Sequence, residues 1–129
     1  MLAATDPANP YGSLLKWPAG GLMRVPGASV IVVNGALAAY VARGEKQLSV
    51  FLPDAEPSRS MVAKEIARTF ASLVENGIRR AMLITEVNDE PVARSPLAPF
   101  LAEVGFTPGS QGYQKRSADR GARAAGSDA

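Results

Sequence analysis

Ser29-Val30-Ile31-Val32-Val33-Asn34-Gly35-Ala36-Leu37-Ala38-Ala39-Tyr40-Val41-Ala42 is the stretch on which the fold turns. Residues 29–33 are a β-branched run, and residues 36–42 carry Leu37, Tyr40 and Val41. Asn-Gly between two such runs specifies a two-residue type I′ hairpin, because both turn residues must take positive φ. A polar turn, Arg43-Gly44-Glu45-Lys46, follows. Residues 47–52 then alternate Leu48, Val50 and Leu52 with Gln47, Ser49 and Phe51, which adds a third strand to an antiparallel meander.

Downstream, residues 53–57 break the sheet, and Ser58 or Ser60 can cap the helix that follows. Val62, Ile66, Phe70, Leu73 and Val74 recur at helical spacing, with Ala63 and Ala67 beside them, and Asn76-Gly77 ends the run. Residues 81–87 read as a fourth strand, Asn88-Asp89-Glu90-Pro91 as a turn with solvated acids, and residues 92–94 as a short return strand. Ser95-Pro96 opens a second helix with Leu97, Phe100, Leu101 and Val104 on one face, stopped by Gly105. Residues 111–116 read as a last edge strand around Tyr113. The fold class expected is α+β: a small, curved, partly closed, barrel-like antiparallel sheet of about five strands with two packed helices.

Upstream, residues 2–18 follow neither period. Pro7, Pro10, Gly12 and Pro18 interrupt them, and Asp6, Asn9, Tyr11 and Trp17 lie between. Proline removes a backbone donor and pushes the preceding residue toward extended backbone, where Asp and Asn set turns. Residues 1–27 are therefore expected as a proline-rich connector, residues 28–116 as the α+β module, and residues 117–129 as a disordered tail. Asn9, Tyr11 and Trp17 are its expected anchors, the two aromatics having apolar bodies and one polar handle each.

The chain has 129 residues, room for one domain, with 47% hydrophobic and 20% charged residues. It contains no histidine and no cysteine, which excludes Ser-His-Asp and Cys-His catalysis and His/Cys zinc sites. Gly20-Gly21 lacks the Lys-Ser/Thr of a P-loop. No apolar run reaches the roughly 20 residues of a membrane span, and the first residues lack a signal-peptide pattern, so a cytoplasmic, non-membrane protein without a bound metal is expected. Two readings of Asp6 stand: a turn cap with Asn9, or a proline-locked carboxylate aimed at a substrate. Net charge is only +2, yet Arg43, Lys46, Arg79, Arg80, Lys115 and Arg116 can form a basic rim that follows a phosphate backbone. The alternative is scattered solubilising charge.

Ala4-Thr5-Asp6-Pro7-Ala8-Asn9-Pro10-Tyr11-Gly12, followed by Leu14-Leu15-Lys16-Trp17-Pro18, resembles a segment near the C-terminus of bacterial Lhr-type (large helicase-related) ATP-dependent DNA helicases. Residues 28–40 resemble that family's hairpin. Residues 88–101 resemble its turn and second helix, and Gly105-Phe106 with Gly112-Tyr113 resembles its closing strand. The resemblance implies a C-terminal accessory module, with winged-helix and RecA-like motor domains upstream as partners and DNA as their ligand. ATP and Mg belong to that full-length parent; this chain has no motor motif and no cofactor of its own. The family's C-terminal region also resembles winged-helix DNA glycosylases of crosslink repair, which makes Asp6 the candidate acid, although no glycosylase carboxylate motif matches here. A third reading is a homo-oligomerisation module that pairs through residues 111–116.

Overall fold

The computed structural model describes residues 1–12 and 22–117. The anchor expected at Trp17 and the tail expected beyond Ser117 lie outside the described residues. β1 (Leu2–Ala3), β2 (Ser29–Val33), β3 (Ala36–Val41) and β4 (Gln47–Val50) precede α1 (Ser58–Glu75). After it come β5 (Ala81–Ile84), β6 (Glu86–Val87), β7 (Glu90–Pro91), α2 (Ala98–Glu103), β8 (Thr107–Pro108) and β9 (Tyr113–Arg116). Among the described residues no helix is long and apolar enough to cross a membrane.

The α+β class holds, and the single curved, partly closed sheet does not. The described strands form a six-stranded mixed sheet, β1-β2-β3-β4-β6-β7, and a three-stranded antiparallel sheet, β5-β9-β8, neither closed nor strongly curled. The split occurs inside the apolar run read as one strand. Met82 and Ile84 pair with β9, whereas Val87 pairs in parallel with β4. Thr85 sits between the sheets, with its amide and hydroxyl both donating to the Lys46 carbonyl at 2.8 and 3.1 Å. The return strand is Glu90–Pro91, and Val92–Arg94 is instead one turn of 3-10 helix. β9 is the central strand of its sheet and not an edge.

The Asn-Gly hairpin forms as its turn chemistry requires, with φ of 53° at Asn34 and 82° at Gly35. One feature of β3 needs both faces of the sheet to explain it: its last five residues are all buried. Ile31 pairs Ala39 and Val32 pairs Leu37, so Ala38 is an extra residue in a β-bulge. Ala38, Ala39 and Val41 join the main core with Ile66, Phe70 and Val74 of α1 and with Ile84, Leu97, Leu101 and Phe106. Leu37 and Tyr40 belong to a second cluster on the opposite face, with Val30, Ala4 and Ala28, against which Leu2, Tyr11, Leu22 and Val25 pack. The bulge turns a three-residue spacing into a shared face, and the connector covers it.

Neither serine expected to cap α1 accepts a helix amide. Glu56 does so from outside the helix, its carboxylate receiving the Ser60 amide at 2.9 Å and the Ser60 hydroxyl at 2.7 Å. These bonds, the hydroxyl's first, hold the Glu56 carboxyl below its usual range. A depressed carboxyl contributes stability above its unfolded pKa and loses it as pH falls through the folded value. Glu56→Gln is therefore expected to lower the melting temperature at neutral pH, with the gap from the parent closing as pH falls below the ordinary glutamate range. Thermal melts across an acid pH series check this.

Candidate functional site

Two constellations carry the sequence-derived candidates, one in the connector and one where the turn of residues 43–46 meets the ends of β5 and β9.

In the connector, Asp6 Oδ1 accepts the Ala8 amide at 2.8 Å, an Asx turn, and the Asp6 carbonyl accepts the Asn9 amide. Asn9 is fully buried. Its Nδ2 donates to the Ala4 carbonyl at 2.8 Å and its Oδ1 accepts the Tyr11 amide at 3.0 Å, so both ends of the amide are used. Tyr11 Oη accepts the Leu37 amide at 2.9 Å, tying the connector to β3. Arg24 and Tyr40 complete the arrangement, and sequence reasoning missed both. The Arg24 guanidinium donates to the carbonyls of Asn9 (2.6 Å), Tyr11 (3.1 Å), Asp6 (3.2 Å) and Thr5 (3.4 Å). The Tyr40 hydroxyl donates to the Met23 carbonyl at 2.8 Å. Arg24 sits in a loop with no periodicity, so nothing in its neighbourhood marked it. Among the described residues, no group of three or more His, Cys, Asp or Glu lies together as metal ligands. The geometry around Asp6 is that of a turn-setting carboxylate.

In the second constellation, the turn of residues 43–46, the loop after α1 and the end of β9 come together. Arg79 Nε and Nη2 grip the Glu45 carboxylate at 2.7–3.0 Å, a bidentate pair between groups 34 residues apart. That carboxylate raises the Arg79 pKa further above its already high ordinary value. Ala81 pairs with Arg116, and the Ser117 amide donates to the Arg80 carbonyl at 2.7 Å, which brings Arg80 and Arg116 to the same exposed end of the sheet, in a register that turns their side chains to opposite faces. Lys115 is mostly covered; its Nζ pairs with Glu75 at 3.3 Å and lies against Gly105. Exposed Arg43 lays its side chain over Gly27, and Lys46 is exposed with its carbonyl held by β6 and Thr85. The six expected basic positions thus divide: Arg79 and Lys115 are engaged with carboxylates, while Arg43, Lys46, Arg80 and Arg116 present charge to solvent.

Comparison with known proteins gives two matches. The chain is 36% identical over 115 residues to the "Lhr helicase/uracil glycosylase" of Escherichia coli (strain K12), covering 86% of this chain and 7% of that protein. It is 37% identical over 92 residues to the "Lhr helicase/ probable uracil glycosylase" of Mycolicibacterium smegmatis (strain ATCC 700084 / mc(2)155), covering 68% of this chain and 6% of that protein. The chain therefore spans less than a tenth of the length of these curated relatives. No protein-family model matches it.

Proposed function

The chain is homologous to a segment of Lhr helicase/uracil glycosylase proteins, and from that premise we propose that it is a C-terminal accessory module of an Lhr-type ATP-dependent helicase that helps hold DNA. In this reading residues 28–116 form the module and residues 1–27 its connector, with winged-helix and motor domains of the larger protein as partners. ATP, Mg and the motor belong to those domains, and repair of DNA in the cytoplasm is the setting. The observation that carries the DNA contact is the placement of Arg80 and Arg116 at one exposed end of the sheet, with Lys46 on the neighbouring turn, so that their charges rim that end. Exposed cations around one rim release counterions from a phosphate backbone laid along it, so the contact is salt-dependent and largely indifferent to base sequence.

Arg80→Glu with Arg116→Glu tests this. Fluorescence anisotropy with labelled single-stranded and duplex DNA at low salt is expected to show weakened binding, with the slope of log affinity against log salt reduced by about 2, one for each lost phosphate contact. Equal binding and an unchanged slope would refute the DNA-contact role. Arg79→Ala is not an equivalent test, because it removes the Glu45 pair that positions the turn.

The relatives' names favour a second reading, a share in a glycosylase site. Asp6→Asn separates the two well, since asparagine keeps the oxygen that accepts the Ala8 amide and removes only the charge. In an accessory module, uracil excision by the full-length parent stays unchanged; a loss of base release with folding intact would favour the catalytic role.

A further inference from the structure

β2 has an unfinished edge. β1 pairs with it only through Leu2↔Val30 and Ala3↔Ser29. The same antiparallel register, continued, sets Met1 beside Ile31 and any residues ahead of it beside Val32 and Val33. The Ala4 amide donates to the Ala28 carbonyl, and bonded pairs alternate along an antiparallel ladder. Val30, and then Val32, therefore aim their amide and carbonyl toward this edge. Among the described residues no strand pairs with β2 on that side beyond Val30. Natural edges are blunted by lysine, proline or charge, and Ile31-Val32-Val33 has none of these.

The side chains beside the edge match an incoming strand. Val32 is exposed, and α1 passes alongside with Met61 at 57% exposure. Val32, Val33, Asn34, Ser58, Met61, Val62 and Glu65 enclose an open groove of about 420 Å³. A strand laid against β2 would place alternate side chains in this groove.

We propose that this edge and groove receive an extended segment from the remainder of a larger Lhr-type protein, added antiparallel to β2 with an apolar side chain against Met61 and Val62. Two facts select this occupant. The relatives carry more than nine tenths of their length outside the homologous segment. In a protein of that kind, the chain leading into β1 is delivered onto Val32 and Val33 by the existing register, with no loop to close. The inference rests on the module belonging to such a protein, and not on its DNA contact.

The test fuses, ahead of Met1 in the full chain, the ten residues that precede the homologous segment in the E. coli relative. Amide hydrogen exchange is compared with that of the unfused chain. The Val32 amide is expected to slow at least tenfold in the fusion, and Met61→Glu, on an exposed helix face, is expected to abolish that slowing without unfolding the protein. A Val32 amide that exchanges equally fast in both forms overturns the proposal. So does a Val32 amide already protected in the unfused chain together with a doubled mass in light scattering, which assigns the edge to a second copy. Met61 is roughly 20 Å along α1 from its C-terminal end, where Arg80 follows. Salt-dependent DNA binding is therefore unchanged in Met61→Glu, so failure of strand docking and failure of the DNA reading are separately visible.

Discussion

Gly112→Ala is expected to destabilise the protein by on the order of 4 kcal/mol, from backbone strain of about 1–3 and an overlap of similar size. Gly112 has φ of 154°, a region side chains avoid, and a Cβ there would overlap the Ile84 carbonyl oxygen and press on Cα of Thr85. The obstacle is backbone, so no rotamer change relieves it. Ile84 and Thr85 mark the point where the chain leaves the three-stranded sheet for the six-stranded one. A shift there disturbs the β5–β9 pairing and the Lys46 carbonyl bonds together. The melting temperature should fall by roughly 10–25 °C, a large part of the stability of a small domain. Gly44→Ala is the control: its φ is also positive, at 87°, but nothing lies within 4 Å of the added carbon. It should cost only about 1 kcal/mol. Equal losses in the two variants would show that the close approach at Gly112 contributes nothing.

That contact also explains which parts of the fold could be read from residues alone. The hairpin was legible because Asn34-Gly35 meets a local requirement, positive φ at both turn positions, which few other pairs satisfy. α1 was legible because its buried residues, Ala63, Ile66, Ala67, Phe70, Ala71 and Val74, keep the helical period over three turns. The division of residues 81–87 between two sheets was not, because Met82, Ile84 and Val87 form one apolar run. What divides it is the approach of Gly112 and the Lys46 carbonyl, both remote in sequence. The central place of β9 was hidden for the same reason: β8 has only two residues, one of them proline, too few to show a period.

The candidate site shows the same boundary. That Asn9 and Tyr11 need fixed partners was legible, since both carry polar groups among prolines; that the partners are Ala4 and Leu37 was not. The basic positions were legible as residues, but their availability was not. Glu45 and Glu75 engage Arg79 and Lys115 only because α1 and the two turns fold onto one end. An arrangement made by tertiary contact between charges leaves no pattern in either neighbourhood.

Arg24→Met is expected to release the connector while the main core stays folded. The substitution keeps an unbranched apolar stem and removes the guanidinium, with the donors that reach four carbonyls of residues 5–11. Charged hydrogen bonds of this kind are worth about 1.5–3 kcal/mol, and the abandoned carbonyls can recover water only if the loop opens. Opening withdraws Tyr11 from the Leu37 amide and uncovers Val30, Leu37 and Tyr40 on the second face of the sheet. The Leu37 amide, protected by the connector alone on that side, is the reporter. Its exchange should accelerate about 30- to 100-fold, equivalent to about 2–3 kcal/mol of local stability. Amides of α1 facing the main core should be unchanged, because Phe70 and Val74 touch the other face. Arg24→Lys distinguishes charge from geometry. An ammonium cannot span carbonyls that a planar fork reaches from two nitrogens, so lysine should restore little of the protection. Full restoration by lysine would mean that the positive charge, and not the fork, holds the connector. Unchanged Leu37 exchange in Arg24→Met would mean that Asn9 and the apolar contacts of Leu2 and Tyr11 suffice without it.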